Sequence, residues 1–192
     1  ATSDFFSMIR RPPRSPRVPY TTLFRSGVDL ESVNLKGATI TTYELRATSA
    51  IGVSLEGIGW AGMDLQGHDF SGQDLTAVVF FYADLRGADF TGAVLQRADL
   101  RGARLNGARL VDTDLRDAKL SQVDFTDALI LNSTFIHADL TGAVFESAHV
   151  EHSNFYETIL TAVSFEGAML DYLNLIRADL VGQDFSGVDL RG

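Results

Sequence analysis

Large apolar residues recur at every fifth position along most of the chain. From Leu30 to Leu190 the phase holds over 33 positions, of which 19 are Leu and 9 are Phe; the other five are Ile40, Ala50, Trp60, Ile130 and Val150, and none is charged. The flanks are patterned as well. Two residues before the apolar position Ala occurs 14 times, one before it Asp or Asn occurs 16 times, and two after it Gly occurs 15 times. The consensus Ala-Asp-Leu-x-Gly stands at 83–87 and is followed at 88–92 by the same pentapeptide with Phe at its centre.

A period of five matches neither the 3.6 of an α-helix nor the 2 of a flat strand, and it misses the six-residue period of three-sided β-helices. It predicts a chain that turns a corner every five residues, with one large residue pointing inward from the middle of each side. Four sides then close a coil of 20 residues.

With this pattern, residues 27–192 resemble the pentapeptide-repeat family. The resemblance implies an all-β solenoid, a right-handed quadrilateral β-helix of about eight 20-residue coils. At about 4.8 Å between neighbouring strands the rod is about 40 Å long. Leu and Phe are expected to stack on counterparts 20 residues away, as in Leu95, Leu115 and Phe135, each contributing roughly 1.5–3 kcal/mol of burial before entropy is subtracted. Ala beside them is small because a larger side chain overpacks the interior. Gly at the corner admits backbone angles that a Cβ penalises, and Asp or Asn binds nearby turn amides.

The pattern weakens over Thr41–Ala50, where Tyr43 and Thr48 replace the small residue and Ala50 replaces the large one; a short helical or irregular insertion near 41–50 is predicted. Ahead of the repeats, residues 1–26 hold five arginines, one acid and all four prolines. Proline at 12, 13, 16 and 19 forbids a stable amphipathic helix, and no continuous apolar stretch makes a signal peptide. This leader reads as disordered and resembles translated sequencing-adaptor read-through, so two domains are expected: 1–26, non-native, and 27–192, the β-helix.

Composition removes several chemistries. The chain has no Cys, which excludes disulfides, thiol catalysis and cysteine-ligated metals. No apolar run reaches the roughly 18–20 residues of a membrane span. Residues 27–192 carry 11 positive against 24 negative side chains, a net of −13, the wrong sign for a domain that grips phosphates directly. Charge is also segregated along the sequence. Seven cations lie at Arg86, Arg97, Arg101, Arg104, Arg109, Arg116 and Lys119, whereas 120–192 holds eleven acids against Arg177 and Arg191.

Catalytic constellations are nearly absent. His149 and His152 flank Glu151 and form the one candidate for a divalent metal, although ligands on one convex face do not close a site. His68 and His137 have no acidic or nucleophilic partner at a suggestive spacing, and acid pairs such as Asp124 and Asp127 are supplied by the repeat itself. A filled rod also lacks the concave pocket of an enzyme. No catalytic, metal or cofactor residues are assigned, and no cofactor is expected.

The outward features are apolar. Ile136, Tyr156 and Ile176 share one outward slot at 20-residue intervals, Leu129, Leu131, Met169 and Tyr172 fall on the preceding face, and Ile159 falls on the following one. These eight form the candidate partner surface, because contiguous exposed apolar patches mark interaction sites. Val79, Phe81 and Tyr82 form a second patch. The leading expectation is a non-enzymatic structural or protein-interaction rod. The alternative, implied by the resemblance, is a DNA mimic that inhibits or protects a type II topoisomerase such as DNA gyrase; the net acidity allows it and the belt at 86–119 opposes it. An enzyme or metal protein is the remote alternative. A repeat stack without caps exposes coil edges, so end-to-end association is expected, and 27–192 reads as an excerpt of a longer chain. A looser likeness of Glu44–Thr76 to a module of secreted bacterial proteins leaves localisation as cytoplasmic or secreted.

Overall fold

The computed structural model describes residues 58–183, 185 and 187–191. The leader at 1–26 and the insertion near 41–50 lie outside the described residues. Within them the chain is a right-handed quadrilateral β-helix. Every hydrogen-bonded pairing is parallel and joins residues 20 apart, from Gly59 with Val79 to Ile159 with Asp179. The faces are named here by their buried centres: face I holds Trp60 to Leu180, face II Leu65 to Phe185, face III Phe70 to Leu190 and face IV Leu75 to Leu175, each at steps of 20.

Face III is the most regular. It carries β1 (Arg109–Val111), β2 (Leu129–Leu131), β3 (His149–Glu151), β4 (Met169–Asp171) and β5 (Asp189–Arg191), in the sheet order β1-β2-β3-β4-β5. The registers Leu110 to Ile130, Ile130 to Val150 and Val150 to Leu170 stack the buried centres directly.

The corners explain the five-residue period. Every fifth residue from Gly62 to Gly187 has positive φ: eleven glycines with φ 62–75° and fifteen other residues with φ 50–60°. Most corners close with an amide bonded to the carbonyl three residues back, as from Met63 to Trp60 or Ala83 to Phe80. A bond of that kind with positive φ at the third residue is a type II turn. The Asp or Asn before the centre braces the turn by accepting the amide two residues on: Thr91 N donates to Asp89 Oδ1 at 2.9 Å and Tyr156 N to Asn154 Oδ1 at 3.0 Å. The repeated aspartates are turn residues.

After Leu110, Ile130 and Val150 the corner that follows face III departs from this rule. Thr113, Ser133 and Ser153 occupy the slot that Ala fills elsewhere, and all three are buried. Thr113 N donates to Ser133 Oγ at 3.1 Å and Ser133 N to Ser153 Oγ at 3.2 Å, while Ser133 Oγ lies 2.8 Å from Leu110 O. A buried hydroxyl ladder thus replaces the turn bond, which suits a face whose centre runs as a full three-residue strand.

The interior keeps a constant cross-section. In the first described coils the aromatics sit on opposite faces I and III, with Trp60 stacked on Phe80 (5.3 Å) and Phe70 on Phe90 (5.0 Å), and leucine lies on the other two. Residues 95–120 fill every centre with leucine. Beyond them the aromatics move to faces II and IV, with Phe125 on Phe145 (4.8 Å) and Phe135 on Phe155 (4.6 Å), and the intervening centres become Ile130, Leu140 and Val150. Interiors tolerate neither voids nor added volume, so a pair of rings across one diagonal requires aliphatic residues across the other.

Candidate interaction surface

On each face the residues before and after the buried centre point outward, and the corner residue follows them. The surface is therefore a set of columns along the rod, each repeating every 20 residues, and side chains adjacent in a column are distant in sequence.

These columns rearrange the charge read from the sequence. Arg86, Arg101 and Arg116 each clamp the aspartate two residues before them, with Nη2 to Oδ2 distances of 2.7, 2.6 and 2.6 Å. Arg104 reaches Asp84 at 3.5 Å and Arg109 reaches Asp89 at 3.7 Å, each one coil away. Five of the seven belt cations are thus ion-paired. Hydrogen bonds from Arg86 hold the Asp84 carboxyl below its ordinary range, and those from Arg101 do the same for Asp99, in each case against a smaller opposing effect of burial.

His137 corrects the reading that it lacks an acidic partner. Its Nδ1 lies 3.3 Å from Asp117 and its Nε2 3.2 Å from Glu157, on the coils below and above. Glu157 in turn binds Arg177 at 2.8 Å. The corner column reads Asp117, His137, Glu157, Arg177, with the imidazole between two carboxylates and the guanidinium at its end. The partners were missed because they are 20 residues away and separate only in the coil repeat.

His149 and His152 both face Glu151, at 3.5 and 3.2 Å, from its two carboxylate oxygens. His152 also stacks on Tyr172 with centroids 4.8 Å apart. Among the described residues no group of three or more His, Asp or Glu side chains is arranged to hold a metal ion. His68 packs on Phe70 with centroids 4.4 Å apart. No helix among the described residues is long and apolar enough to cross a membrane.

The eight candidate partner residues do not form one plane. Leu129, Leu131 and Met169 stand on face III and Tyr172 at its corner; Ile136, Tyr156 and Ile176 stand on face IV; Ile159 stands on face I. Leu129, Leu131, Ile136 and Tyr156 are half-buried, whereas Ile159, Met169, Tyr172 and Ile176 are exposed. On face IV the apolar column runs beside Thr134, Asn154 and Asn174. Asn174 Nδ2 donates to Asn154 Oδ1 at 3.1 Å, so the distal part of this face presents uncharged amides and apolar groups. Arg177 borders it, its guanidinium 3.3 Å from Tyr156 Oη.

The second patch assembles on face I. Val79 is half-buried before Phe80, and Phe81 and Tyr82 meet edge to face at 4.3 Å. Arg101, held by Asp99, lies 5.3 Å above the Phe81 ring. The sequence reading missed this arginine, again because its contact is one coil away.

A family model for pentapeptide repeats matches in eight copies, over segments 61–92, 93–130, 124–161, 138–171 and 158–192. No curated protein sequence matches. Among solved structures the chain is similar to a pentapeptide-repeat protein of the Arabidopsis thaliana thylakoid lumen, with 36% identity, 54% of this chain and 68% of that chain covered, and a TM-score of 0.35. It is similar to HetL, a pentapeptide-repeat protein involved in heterocyst differentiation regulation in the cyanobacterium Nostoc sp. strain PCC 7120, with 24% identity, 83% and 79% covered, and a TM-score of 0.39. It is also similar to QnrB1, a plasmid-mediated fluoroquinolone resistance protein, with 19% identity, 66% and 91% covered, and a TM-score of 0.40.

Proposed function

Because the chain belongs to the pentapeptide-repeat family, we propose that it is a non-enzymatic rod that docks a protein partner along the distal part of face IV. The observation that carries this reading is the uncharged strip of Ile136, Tyr156 and Ile176 beside Asn154 and Asn174, on a domain with a net charge of −13. Tyrosine, flanked here by Arg177, is among the residues that dominate binding energy at interfaces. Replacing Tyr156 and Ile176 with Ser removes the apolar area while leaving the buried centres intact. A partner isolated from the native extract with the wild-type chain is lost by this double variant and kept by Phe81→Ser on face I. Equal retention by all three proteins overturns the reading.

A second reading, a DNA mimic that engages a type II topoisomerase, gains from the ion pairing of Arg86, Arg101, Arg104, Arg109 and Arg116. Their pairing leaves the belt at 86–119 with less free positive charge than its composition implies. It is tested by gyrase supercoiling with and without a quinolone at low and physiological salt. Salt-sensitive inhibition or drug protection supports it, and no effect at micromolar protein removes it.

A further inference from the structure

Face III carries all the three-residue strands among the described residues, and its outward side chains form two rows. One row reads Arg109, Leu129, His149, Met169; the other reads Val111, Leu131, Glu151, Asp171. A two-fold axis parallel to the rod, placed against this face, brings the first row of one copy onto the second row of another, coil for coil. Leu129 then meets Leu131 of the second copy, and His149 meets Glu151 of the second copy, each contact occurring twice. The first pairing is apolar on apolar; in the second, Glu151, which already has His149 and His152 of its own chain at 3.5 and 3.2 Å, gains a further imidazole.

We propose that face III is the interface of a side-by-side homodimer in which two rods run parallel. This occupant follows from self-complementarity: an isologous contact requires one patch to match itself, and the central rungs β2 and β3 do so, leucine against leucine and imidazole against carboxylate. Asp171 stands beside Glu151 in register and adds negative charge to the second row; its Oδ1 is closed off from solvent and has no hydrogen-bond partner within the described chain. The end rungs are mixed. Arg109 is already held by Asp89 at 3.7 Å and Val111 is half-buried, so they form a rim. Five strands at a spacing of about 4.8 Å span about 19 Å from first to last. A single face of that length falls short of the roughly 800 Å² per partner of a standard stable interface, so the dimer is concentration-dependent. The partner strip on face IV stays free, and the two proposals stand or fall separately.

The test is sedimentation of the full chain across a concentration series from low to high micromolar. The wild type shifts from monomer to dimer. Leu131→Glu weakens the dimer by at least about tenfold, the scale of a central interface residue. Adding Leu129→Lys to it restores a dimer, now salt-sensitive, because each Lys faces a Glu across the axis; this also separates lost pairing from lost folding. Ile176→Ser on face IV leaves the dimer unchanged. A wild type that remains monomeric throughout overturns the proposal, as does a dimer untouched by Leu131→Glu. Failure of the charge pair to restore association, with both variants folded by circular dichroism, overturns the parallel two-fold arrangement.

Discussion

Tyr82 lies across Gly102, one coil further along the rod, so closely that a methyl group on Gly102 would stand 2.5 Å from Tyr82 Cδ1. Both residues occupy corners with positive φ, 54° and +66°. An exposed aromatic ring is thereby fixed by the absence of a side chain 20 residues away.

This contact separates two roles of glycine at the corners. Ala77 and Ala162 hold φ of 55°, so alanine at a corner is strained but accepted, at about 1 kcal/mol relative to glycine. Gly107 has φ of +65° and open space where its Cβ would be. Gly107→Ala is expected to cost only that backbone strain. Gly102→Ala must also displace the Tyr82 ring, adding about 1–2 kcal/mol of overpacking. Urea denaturation should rank Gly102→Ala as clearly less stable, and in the Tyr82→Ala background the two glycine substitutions should become equal. Equal costs in the wild-type background would show that the ring moves freely.

The buried hydroxyl ladder makes a consensus residue the damaging one. Ser133→Ala installs the side chain preferred at that slot, yet it strips the acceptor from Thr113 N and the donor from Leu110 O. Leaving a buried amide unpaired costs about 1–3 kcal/mol. Thr158→Ala is milder, because Thr158 N keeps its bond to Phe155 O and only the hydroxyl contact to Phe135 O at 2.8 Å is lost. Thermal unfolding of the two variants should show the larger loss for Ser133→Ala.

The diagonal arrangement of aromatic centres predicts a directional packing cost. Val150 lies in the same coils as Phe145 and Phe155, whose stacks occupy the crossing diagonal. Val150→Phe is expected to overpack the rod by about 1–3 kcal/mol. Combining it with Phe145→Leu and Phe155→Leu should recover much of that loss, since this restores the arrangement of Phe70, Phe90 and their leucine neighbours. A triple variant weaker than the sum of its parts would refute the constant cross-section.

These cases mark what the linear pattern discloses. The fivefold phase of Leu85, Phe90 and Leu95 is a property of one strand of text, so the fold, the buried centres and the turn aspartates could be read directly. The contacts of Tyr82 with Gly102, Arg101 with Phe81, and His137 with Asp117 and Glu157 join residues about 20 apart. They become visible only when the sequence is folded into coils and read down its columns. The 20-residue spacing already distributes the eight apolar residues over three faces; what it does not give is their exposure, since Leu129, Leu131, Ile136 and Tyr156 are half-buried while Ile159, Met169, Tyr172 and Ile176 are exposed. The Ala slot concealed Thr113, Ser133 and Ser153 for a related reason: small size satisfied the packing rule, and the need for a hydroxyl arises from a turn bond absent at that corner.

The turn aspartates give the rod a pH dependence of definite sign. Asp69 is held below its ordinary value of 3.8 chiefly by hydrogen bonding from Ser71. At Asp139 partial burial pushes the carboxyl upward, but hydrogen bonds from the Thr141 hydroxyl and amide and from Ser121 outweigh it and the net direction is down. Asp124 behaves in the same way through Thr126. A carboxyl more acidic in the folded chain than in the unfolded chain stabilises the fold above its unfolded value, and the contribution is lost as pH falls through the lower folded value. Stability should therefore be level above about pH 5 and decline below about pH 4, many turns acting together. Asn154 and Asn174 already brace the same turn through Oδ1, at 3.0 and 3.1 Å from the amides of Tyr156 and Ile176. Replacing Asp69, Asp124 and Asp139 with Asn thus keeps the amide acceptor but removes the titrating group. The triple variant should lose little stability near pH 7 and show a shallower decline in acid. An unchanged acid limb would assign the loss to carboxylates outside the turns.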